Sequence, residues 1–452
     1  MKAINPKNNT LIKEYPEHTE EDVKKIIGLV HHAHENWRKV PFAERSAKMH
    51  RAAEILRARK DEFAQLITNE MGKIIRESRA EAEKCAWVCD YYADHAEEFL
   101  SNEHIQTDAS ESYVAFDPLG VVLAVMPWNF PFWQVFRFAA PALMAGNGAV
   151  LKHASNVPGC ALAIEEIFRE AGFPEDLFRT LLIKSSMVPT VINDVRIKAA
   201  TLTGSEPAGA AVASLAGRNI KKTVLELGGS DPFIVLADAN LEKAATTAVQ
   251  ARMINAGQSC IAAKRFIVVE SRVKEFEEQM TKKMADLKLG DPLEETTDVG
   301  PLAREDLVKE IERQVNASVA AGAKLVLGGK RRPGEGAYYL PTVLSGVKAG
   351  MAVFTEETFG PVATIIPVKD EKEAIAVAND SEFGLGASLW TSDIEKAKKL
   401  AREIQSGSVF INGMVKSDPR LPFGGIKRSG YGRELSHYGI KEFVNIKTIW
   451  IG

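Results

Sequence analysis

Apolar residues in the N-terminal part of the chain recur at the spacing of amphipathic helices. Thr19 followed by Asp22 resembles a capping box, which predicts the start of a first helix. Pro41 at a first helical position predicts a second helix, whose apolar face continues as far as Ile67. A third helix is predicted over residues 76–102.

Beyond this region, short apolar strands alternate with helical segments. The first predicted strands cover residues 113–116, 121–125, 149–151, 180–183, 199–202, 223–227 and 233–236, with helices beginning near Pro158, Met187 and Glu206. The second series has strands at 266–269, 324–327, 362–368, 387–390 and 409–411, and helices around 273–287, 372–379 and 394–405. This alternation is typical of parallel, doubly wound sheets. We therefore predict two α/β domains with Cys260 near their junction.

Chain length, composition and net charge limit the classes of protein to which this chain can belong. A chain of 452 residues is longer than one hydrophobic core ordinarily supports, which favours two or more domains. Hydrophobic residues make up 45% and charged residues 26%, as in soluble globular proteins. The net charge is -3 and no long basic block occurs, which argues against a nucleic-acid partner.

Neither a signal peptide nor a membrane span is expected. The first residues lack the apolar core of a secretory signal, and the apolar stretch at 120–126 is too short to cross a membrane. The four cysteines show no metal-ligand spacing, so no metal site is expected. Cys85 and Cys89 would lie one helical turn apart, a poor geometry for a disulfide. A reducing cytoplasm is the expected compartment.

One cysteine has surroundings that suit covalent chemistry. Cys260 ends the run NAGQSC, a turn of small residues in which a thiolate is open to both a substrate and a cofactor. Glu226 begins a second glycine-containing turn, ELGG, and is a candidate general base beside that nucleophile. A buried structural thiol is the alternative for an isolated cysteine. The two turns together favour the nucleophile.

Three further segments carry candidate polar groups where predicted strands end. A PWNFP run holds Asn129 between two prolines, as a rigid oxyanion donor or as a turn asparagine. Lys152 ends a strand at the edge where open sheets bind ligands, although a solvated lysine is common there. Gly204 and Gly209 lie where a strand enters a helix whose N-terminus favours a phosphate. This signal is weaker than a GxGxxG fingerprint, which the chain lacks.

Together these motifs resemble those of the aldehyde dehydrogenase superfamily, and the resemblance covers nearly the full chain. The motifs occur in that family's order: PWNFP at 127–131, Lys152, TGS at 203–205, ELGG at 226–229, GQSC at 257–260, EETFGP at 356–361 and PFGGIKRSG at 422–430. The resemblance implies NAD(P)-dependent oxidation of an aldehyde to a carboxylic acid. The reaction would proceed through a thiohemiacetal and a thioester on the cysteine.

The resemblance also implies residue roles. Cys260 would be the nucleophile, Glu226 the base that activates water, and Asn129 with the Cys260 backbone N–H the oxyanion hole. Glu357 would hold the nicotinamide ribose and Phe359 would pack beside the nicotinamide. The other cofactor contacts that it implies are Trp128, Lys152, Ser155, Gly204, Ser205 and Leu227.

Position 155 departs from the family's common pattern. Many members have a glutamate three residues after the strand-end lysine, where it accepts the adenosine ribose hydroxyl, whereas this chain has Ser155. A carboxylate about 4 Å from a phosphate would repel it by a few kcal/mol at an effective dielectric of roughly 20. Because that carboxylate is missing while Lys152 is present, NADP is the expected cofactor and NAD the alternative.

The apolar helix after the PWNFP run contains one cation, Arg137. A buried arginine needs a partner, which is either an internal carboxylate or a substrate anion. By resemblance, Arg137 falls where succinate-semialdehyde dehydrogenases bind the distal carboxylate of the substrate. Ser417 matches a serine that assists this arginine, and Ser259 precedes the nucleophile. These residues predict an aldehyde with a distal carboxylate, most simply succinate semialdehyde.

Two positions differ from that subgroup, and they keep alternatives open. Ile254 stands where many of those enzymes have a second arginine, and Ala262 replaces a redox-active cysteine. The alternatives are a broad aldehyde dehydrogenase that acts on glutarate semialdehyde or neutral aliphatic aldehydes, and a non-catalytic protein on the same scaffold. The presence of the candidate nucleophile, base and oxyanion donor argues against the last of these.

The resemblance also implies a domain organisation. A Rossmann-like cofactor domain would comprise residues 1–99 and 119–230, and a catalytic domain residues 231–428. A small β oligomerisation arm at 100–118 and a C-terminal segment at 429–452 would join protomers into a homodimer or homotetramer. The partner molecules are otherwise the small aldehyde substrate and the cofactor, without nucleic acid or membrane.

Overall fold

The structure is a computed structural model that describes residues 1–452. Its helices are α1 Glu20–Trp37, α2 Phe42–Ala58, α3 Lys60–Met71, α4 Ile75–Phe99, α5 Trp133–Met144, α6 Pro158–Glu170, α7 Val188–Asn193, α8 Glu206–Arg218, α9 Leu241–Met253, α10 Glu270–Ala285, α11 Glu305–Ala320, α12 Ala352–Thr355, α13 Glu371–Asn379, α14 Ile394–Glu403 and α15 Ser436–Ile440. Short 3-10 helices cover Ser185–Met187, Ile254–Gly257 and Lys441–Phe443.

The strands are β1 Lys2–Asn5, β2 Thr10–Glu14, β3 Glu103–His104, β4 Glu111–Pro118, β5 Val121–Met126, β6 Gly148–His153, β7 Phe178–Thr180, β8 Ile197–Thr203, β9 Lys222–Glu226, β10 Pro232–Val235, β11 Arg265–Val269, β12 Lys324–Leu327, β13 Thr342–Ser345, β14 Val362–Val368, β15 Phe383–Gly384, β16 Gly386–Trp390, β17 Ser408–Ile411, β18 Ile426–Lys427, β19 Gly430–Tyr431 and β20 Val444–Ile451. They form two large sheets and three small ones. The predicted α/β fold is confirmed.

The N-terminal helices differ from the prediction at one point. The capping box at Thr19 and Asp22 is present, with both of its hydrogen bonds. The single helix predicted from Pro41 to Ile67 is wrong, because the chain forms α2 and α3 with a break at Arg59. Pro41 is also the N-cap of α2 rather than its first residue. Arg59 is neither glycine nor proline, so no helix-breaking residue marks this position in the sequence. The helical spacing of apolar residues continues across the break.

The six-stranded sheet has the strand order β19-β9-β8-β5-β6-β7, and only β19 is antiparallel. The chain runs outward from β5 through β6 to β7, and then crosses to β8 and β9 on the other side of β5. Doubly wound sheets bind ligands at such a reversal, beyond the carboxyl ends of the strands. The strand predicted at 180–183 is wrong, since β7 ends at Thr180 and buried Leu181 and Ile183 pack in a core with residues of α1 and α7.

The seven-stranded sheet has the strand order β12-β13-β14-β11-β10-β16-β17, and only β12 is antiparallel. Strand β10 follows the six-stranded sheet in the chain, yet it pairs with β11 and β16 of this second sheet. Helices α9 and α11 and strand β13 lie here without having been predicted. The sheet has a hydrophobic core of its own, which includes Phe233, Phe266 and Trp390.

A three-stranded antiparallel sheet joins the two segments expected to form an arm. Strand β20 pairs with β4 along its whole length, and β4 pairs with β3. Ile446 and Trp450 of β20 are exposed. No helix in the structure combines the length and apolar character needed to cross a membrane.

Candidate active site

The candidate site lies between the two large sheets. Asn129 follows the carboxyl end of β5 and Glu226 ends β9, so both belong to the ligand-binding edge of the six-stranded sheet. Cys260 lies in the loop before β11, and Glu357 lies before β14, at the amino ends of neighbouring strands of the other sheet. A hydrogen bond of 3.0 Å from the Gly229 N–H to Glu357 Oε1 joins these two edges.

The loop that carries the nucleophile has a strained backbone. Asn255, Ala256 and Gly257 all have positive φ angles, of 52°, 52° and 80°. Only one of the three is glycine, and each non-glycine residue in this region costs about 1–3 kcal/mol. The Asn255 N–H donates to a carboxylate oxygen of Glu77 at 2.8 Å, which helps to hold the conformation. At Gly257 a Cβ would lie 2.1 Å from the Gly360 carbonyl oxygen, so no side chain fits there.

The Cys260 thiol is half-buried, and burial raises its pKa to about 12. Arg137 and Lys264 oppose this rise in pKa. The Lys264 ammonium lies behind the loop and donates to the carbonyl oxygens of Ser259 and Cys260 at 3.0 and 2.8 Å. At neutral pH the cysteine is therefore a thiol, and its reaction with an electrophile requires transfer of the proton.

The glycines of the ELGG turn allow three segments to meet. A Cβ on Gly229 would lie 2.6 Å from the Cys260 carbonyl oxygen, and one on Gly228 would lie 2.7 Å from Glu357 Oε2. A larger residue at Gly229 would separate the nucleophile's loop from the turn that follows Glu226, and one at Gly228 would displace the Glu357 side chain. The sequence placed these motifs at one site without showing this contact.

The Glu226 carboxyl group is almost completely buried, with 2% of the residue exposed. Neither carboxyl oxygen has a hydrogen-bond partner, and a Cβ on Gly424 would lie 2.7 Å from Oε1. Burial and the neighbouring Glu434 raise the pKa of Glu226 well above its usual range, while Arg137 opposes them. These effects favour the protonated form of Glu226 in this conformation, and its carboxyl group is not part of the wall of the cavity that holds the Cys260 thiol.

Asn129 is held against the nucleophile's loop. Its Nδ2 donates to the Gln258 carbonyl oxygen at 3.1 Å, and its backbone carbonyl oxygen accepts from Asn255 Nδ2 at 2.7 Å. The residue is 4% exposed. These contacts hold the amide against the loop of Cys260, although Asn129 is not among the residues that line the cavity of the thiol. Its role as an oxyanion donor stays a prediction.

A cavity of about 210 Å³ contains the Cys260 thiol and all three residues predicted to bind substrate, Arg137, Ser259 and Ser417. Aromatic side chains, including Phe130 and Trp133, form much of the remaining wall. The sequence therefore brought together residues from three separate segments of the chain. Their substrate-binding roles stay a prediction.

Arg137 has the internal partner that the sequence left open. Its Nε lies against the carboxylate of Glu434, and its Nη2 donates to Thr203 Oγ1 at 3.3 Å. Its guanidinium carbon lies 4.5 Å from the centre of the Phe423 ring. Arg137 still contributes to the cavity wall, so the ion pair with Glu434 reduces the positive charge that it presents there.

Two charged residues of the site were not singled out in the sequence. Lys84 of α4 lines the cavity and donates to Ser417 Oγ at 2.7 Å. From its spacing along an amphipathic helix, such a lysine cannot be distinguished from one that faces solvent. Glu434 lies in the C-terminal segment, just after β19, which adds an edge strand beside Glu226. The sequence carried no signal for either contact, because both depend on chain segments that are far apart.

The predicted adenosine-side residues lie along the carboxyl edge of the six-stranded sheet. Lys152 is buried at the end of β6 and forms no ion pair, and burial lowers its pKa. Ser155 is exposed three residues later. Ser205 is the N-cap of α8 but its side chain makes no capping hydrogen bond, so the N–H groups of Glu206 and Ala208 remain available. Leu227 is buried against Gly209 of the same helix.

The predicted nicotinamide-side residues lie beside the nucleophile's loop. The rings of Trp128 and Phe359 meet edge to face, with centroids 5.8 Å apart. Glu357 Oε1 lies 3.4 Å from Lys264 Nζ, the ammonium that also binds the Cys260 carbonyl. The residues thus connect the crevice of the six-stranded sheet to the thiol, although their contacts with a cofactor stay a prediction.

Comparison with known proteins identifies the family. Residues 1–449 match the aldehyde dehydrogenase family. The chain is 57% identical over 449 residues to a probable succinate-semialdehyde dehydrogenase [NADP(+)] of Synechocystis sp., and 51% identical over 452 residues to an aldehyde dehydrogenase of Paenarthrobacter nicotinovorans, with 99% of each chain covered. The crystal structure of succinic semialdehyde dehydrogenase from Streptococcus pyogenes with NADP+ is 41% identical and superimposes with a TM-score of 0.98, over 100% of this chain and 99% of that one. The chain therefore belongs to the aldehyde dehydrogenase family and is an oxidoreductase.

Proposed function

We propose that this enzyme oxidises succinate semialdehyde to succinate with NADP+ as the electron acceptor. The observation that carries the proposal is the composition of the cavity, which places Arg137 and Ser417 in the same small space as the Cys260 thiol. An apolar cavity with cationic and hydroxyl groups suits a short aldehyde that ends in a carboxylate. The names of the Synechocystis and Streptococcus pyogenes relatives support the same substrate.

The residues at the sheet edge fit NADP. Lys152 has no carboxylate partner, and Ser155 contributes no negative charge that would repel a 2′-phosphate. The free N–H groups at the start of α8 favour the pyrophosphate. Glu357 and Phe359 are the candidates for the nicotinamide end. When it is bound, NADP+ supplies the acceptor for a hydride.

The first half-reaction acylates Cys260. The thiol first loses its proton to solvent water. The thiolate sulfur then attacks the aldehyde carbon, a C–S bond forms, and an electron pair moves onto the carbonyl oxygen. Asn129 Nδ2 and the Cys260 N–H stabilise the resulting oxyanion, an effect worth about 3 kcal/mol for each donor. The electron pair then returns as a hydride leaves the same carbon, and a thioester remains on Cys260.

The second half-reaction hydrolyses the thioester. Glu226, once deprotonated and turned into the cavity, takes a proton from water, and the hydroxide forms a bond to the thioester carbon. The C–S bond breaks, which releases succinate and the Cys260 thiolate. In balance, one aldehyde, one water and one NADP+ give one carboxylate, one NADPH and two protons. Burial beside Glu434 raises the pKa of Glu226 in the buried conformation, so the turn into the cavity favours its ionisation.

We also propose an oligomeric assembly, a domain organisation and a cellular compartment for the enzyme. The sheet of β3, β4 and β20, with Ile446 and Trp450 exposed, joins protomers into a homodimer or homotetramer. The cofactor domain comprises residues 1–99 and 119–230, and the catalytic domain residues 231–428. All four cysteines are unpaired, which supports a reducing cytoplasm as the compartment.

A broader aldehyde dehydrogenase is the second candidate. It is favoured by Glu434, which partly neutralises Arg137, and by Ile254, which lines the cavity where a second arginine would otherwise strengthen anion binding. The Paenarthrobacter relative is described only as an aldehyde dehydrogenase.

Steady-state kinetics with matched aldehydes separates the two candidates. We expect kcat/KM for succinate semialdehyde to exceed that for butanal and for glutarate semialdehyde by at least about tenfold, equivalent to about 1.4 kcal/mol. NADP+ should be preferred over NAD+. Equal values for the charged and neutral aldehydes would leave only the broader enzyme.

A further inference from the structure

Lys84 is a cation in the wall of the cavity without a carboxylate partner. Its ammonium donates to Ser417 Oγ at 2.7 Å and lies 4.3 Å from the centre of the Trp133 ring. It makes no other hydrogen bond and forms no ion pair with the protein. An ammonium has three N–H donors, so two remain for a ligand in the cavity.

The carboxylates near Lys84 are all bound elsewhere. Glu81 pairs with Lys73 and accepts from the N–H groups of Phe132 and Trp133 at 2.9 and 3.0 Å. Asp418 pairs with Arg420 at 2.7 Å, and Glu77 accepts from the Asn255 N–H at 2.8 Å. None of these groups neutralises Lys84.

Arg137 and Lys84 therefore differ in the charge that they present to the cavity. Arg137 is balanced by Glu434, whereas Lys84 is unbalanced. Ser417, which the sequence associated with Arg137, is bonded to Lys84 instead. Lys416 also lines the cavity without an ion pair, but it is exposed to solvent, which screens its charge. An anion that enters the cavity therefore gains most from Lys84, the more buried cation without a counter-charge.

We infer that Lys84 is a specificity-determining residue that binds the distal carboxylate of the substrate. It supplies the second cation that is missing where Ile254 stands. The inference rests on the proposed function. The Trp133 face and the Ser417 hydroxyl orient the ammonium, while two of its N–H groups donate to the carboxylate.

The titration of Lys84 agrees with this role. Burial and the neighbouring Arg137 lower its pKa to about 8, while Cys85, Glu81 and Asp418 oppose them. A bound carboxylate stabilises the ammonium form and raises its pKa again. Binding of an anion near pH 8 should therefore take up protons.

Substitutions at Lys84 test the inference on two aldehydes. We expect Lys84→Met to lower kcat/KM for succinate semialdehyde on the order of 10- to 100-fold, as expected for a charged hydrogen bond, mainly through KM. Butanal should change less than about twofold, because methionine keeps the apolar packing. Lys84→Arg should keep most of the preference for the charged aldehyde. Lys25→Met serves as the control, since it removes an exposed charge on α1, outside the cavity, that solvent screens.

Two results would overturn the inference. One is an unchanged kcat/KM for succinate semialdehyde in Lys84→Met. The other is an equal loss on both aldehydes that Lys84→Arg does not rescue, because this pattern indicates a structural role.

Proton uptake tests the unmodified enzyme, so the inference does not depend on the folding of a variant. Calorimetric titration with succinate near pH 8, in the presence of NADP+ and in buffers of different ionisation enthalpy, reports the protons taken up. We expect more uptake in the parent than in Lys84→Arg, whose side chain stays charged. Cys260 and Glu77 also line the cavity, and Lys84→Arg keeps their contributions. Absence of uptake in the parent, or equal uptake in the variant, would contradict the role of Lys84.

Failure of this inference can be told apart from failure of the proposed function. If the parent prefers a longer aldehyde with a terminal carboxylate, the substrate proposal fails. The role of Lys84 is then tested by the kcat/KM of its variants for that aldehyde and for its neutral analogue. If the parent prefers succinate semialdehyde and Lys84→Met keeps that preference, only the inference fails.

Discussion

The guanidinium of Arg137 and the carboxylate of Glu434 form an ion pair whose side chains are 2% and 5% exposed. The pair lies between two functional regions, since Arg137 lines the cavity of the thiol and Glu434 neighbours Glu226. Substrate recognition and the ionisation of the candidate base therefore share one set of charges. A change at either end should affect both.

Removal of Arg137 should destabilise the fold. Arg137→Met leaves the Glu434 charge buried without a partner, which costs about 3–5 kcal/mol. Arg137→Met combined with Glu434→Gln should recover most of this loss, because the charge is removed as well. Denaturant unfolding of the parent, both single variants and the double variant measures the coupling free energy. Additive effects of the two substitutions would show that the pair does not hold the residues together.

Glu226 should make the stability of the protein depend on pH. The folded state holds the Glu226 proton well above the pKa at which the unfolded chain releases it. Between these two pKa values the unfolded state binds fewer protons, so the free energy of unfolding falls as pH rises, by up to about 1.4 kcal/mol per pH unit. In Glu226→Gln this residue cannot ionise, so its contribution to the pH dependence of the free energy of unfolding is lost.

Melting temperatures of the parent and Glu226→Gln at about pH 6 and about pH 9 measure the difference. We expect the variant to gain stability relative to the parent as pH rises. The neighbouring Glu434, whose pKa is also raised by burial, is present in both proteins and serves as the common background. A constant difference in melting temperature would mean that Glu226 is ionised in the folded state.

Ser155→Glu should shift the cofactor preference from NADP towards NAD. The new carboxylate repels a 2′-phosphate near Lys152 and can accept a ribose hydroxyl. Because position 155 is exposed, screening reduces the repulsion, and we expect a change of about tenfold or more in the ratio of kcat/KM for the two cofactors. Ser155→Ala is the uncharged control. If both variants keep the parent's ratio, the phosphate is recognised by other residues.

The strand-end motifs could be located from the sequence because apolar runs define strands. Strands β5, β6, β8 and β9 were all predicted within three residues of their ends, so the positions of Asn129, Lys152 and Glu226 on one sheet edge followed. Strand β19 could not be predicted, because its two residues, Gly430 and Tyr431, are too few to show an alternation of apolar and polar positions.

The partners of charged side chains could not be predicted in the same way. A sequence shows that Arg137 needs an anion but not which one, because Glu434 reaches it only in the folded chain. Lys84 follows the spacing of a solvated helical lysine, and its burial depends on Trp133 and Ser417. The charges of the cavity therefore became visible only with the structure.

Cys260 should carry the acyl group of the substrate during turnover. The mass of the enzyme after one turnover measures whether it does. Glu226→Gln should slow hydrolysis of the thioester, so mixing it with succinate semialdehyde and NADP+ should give a burst of NADPH and a chain that is heavier by one succinyl group on Cys260. The amount of modified chain should equal the NADPH in the burst, and Cys260→Ala should give neither. Formation of NADPH without a modified Cys260, or a succinyl group on another residue, would contradict the account.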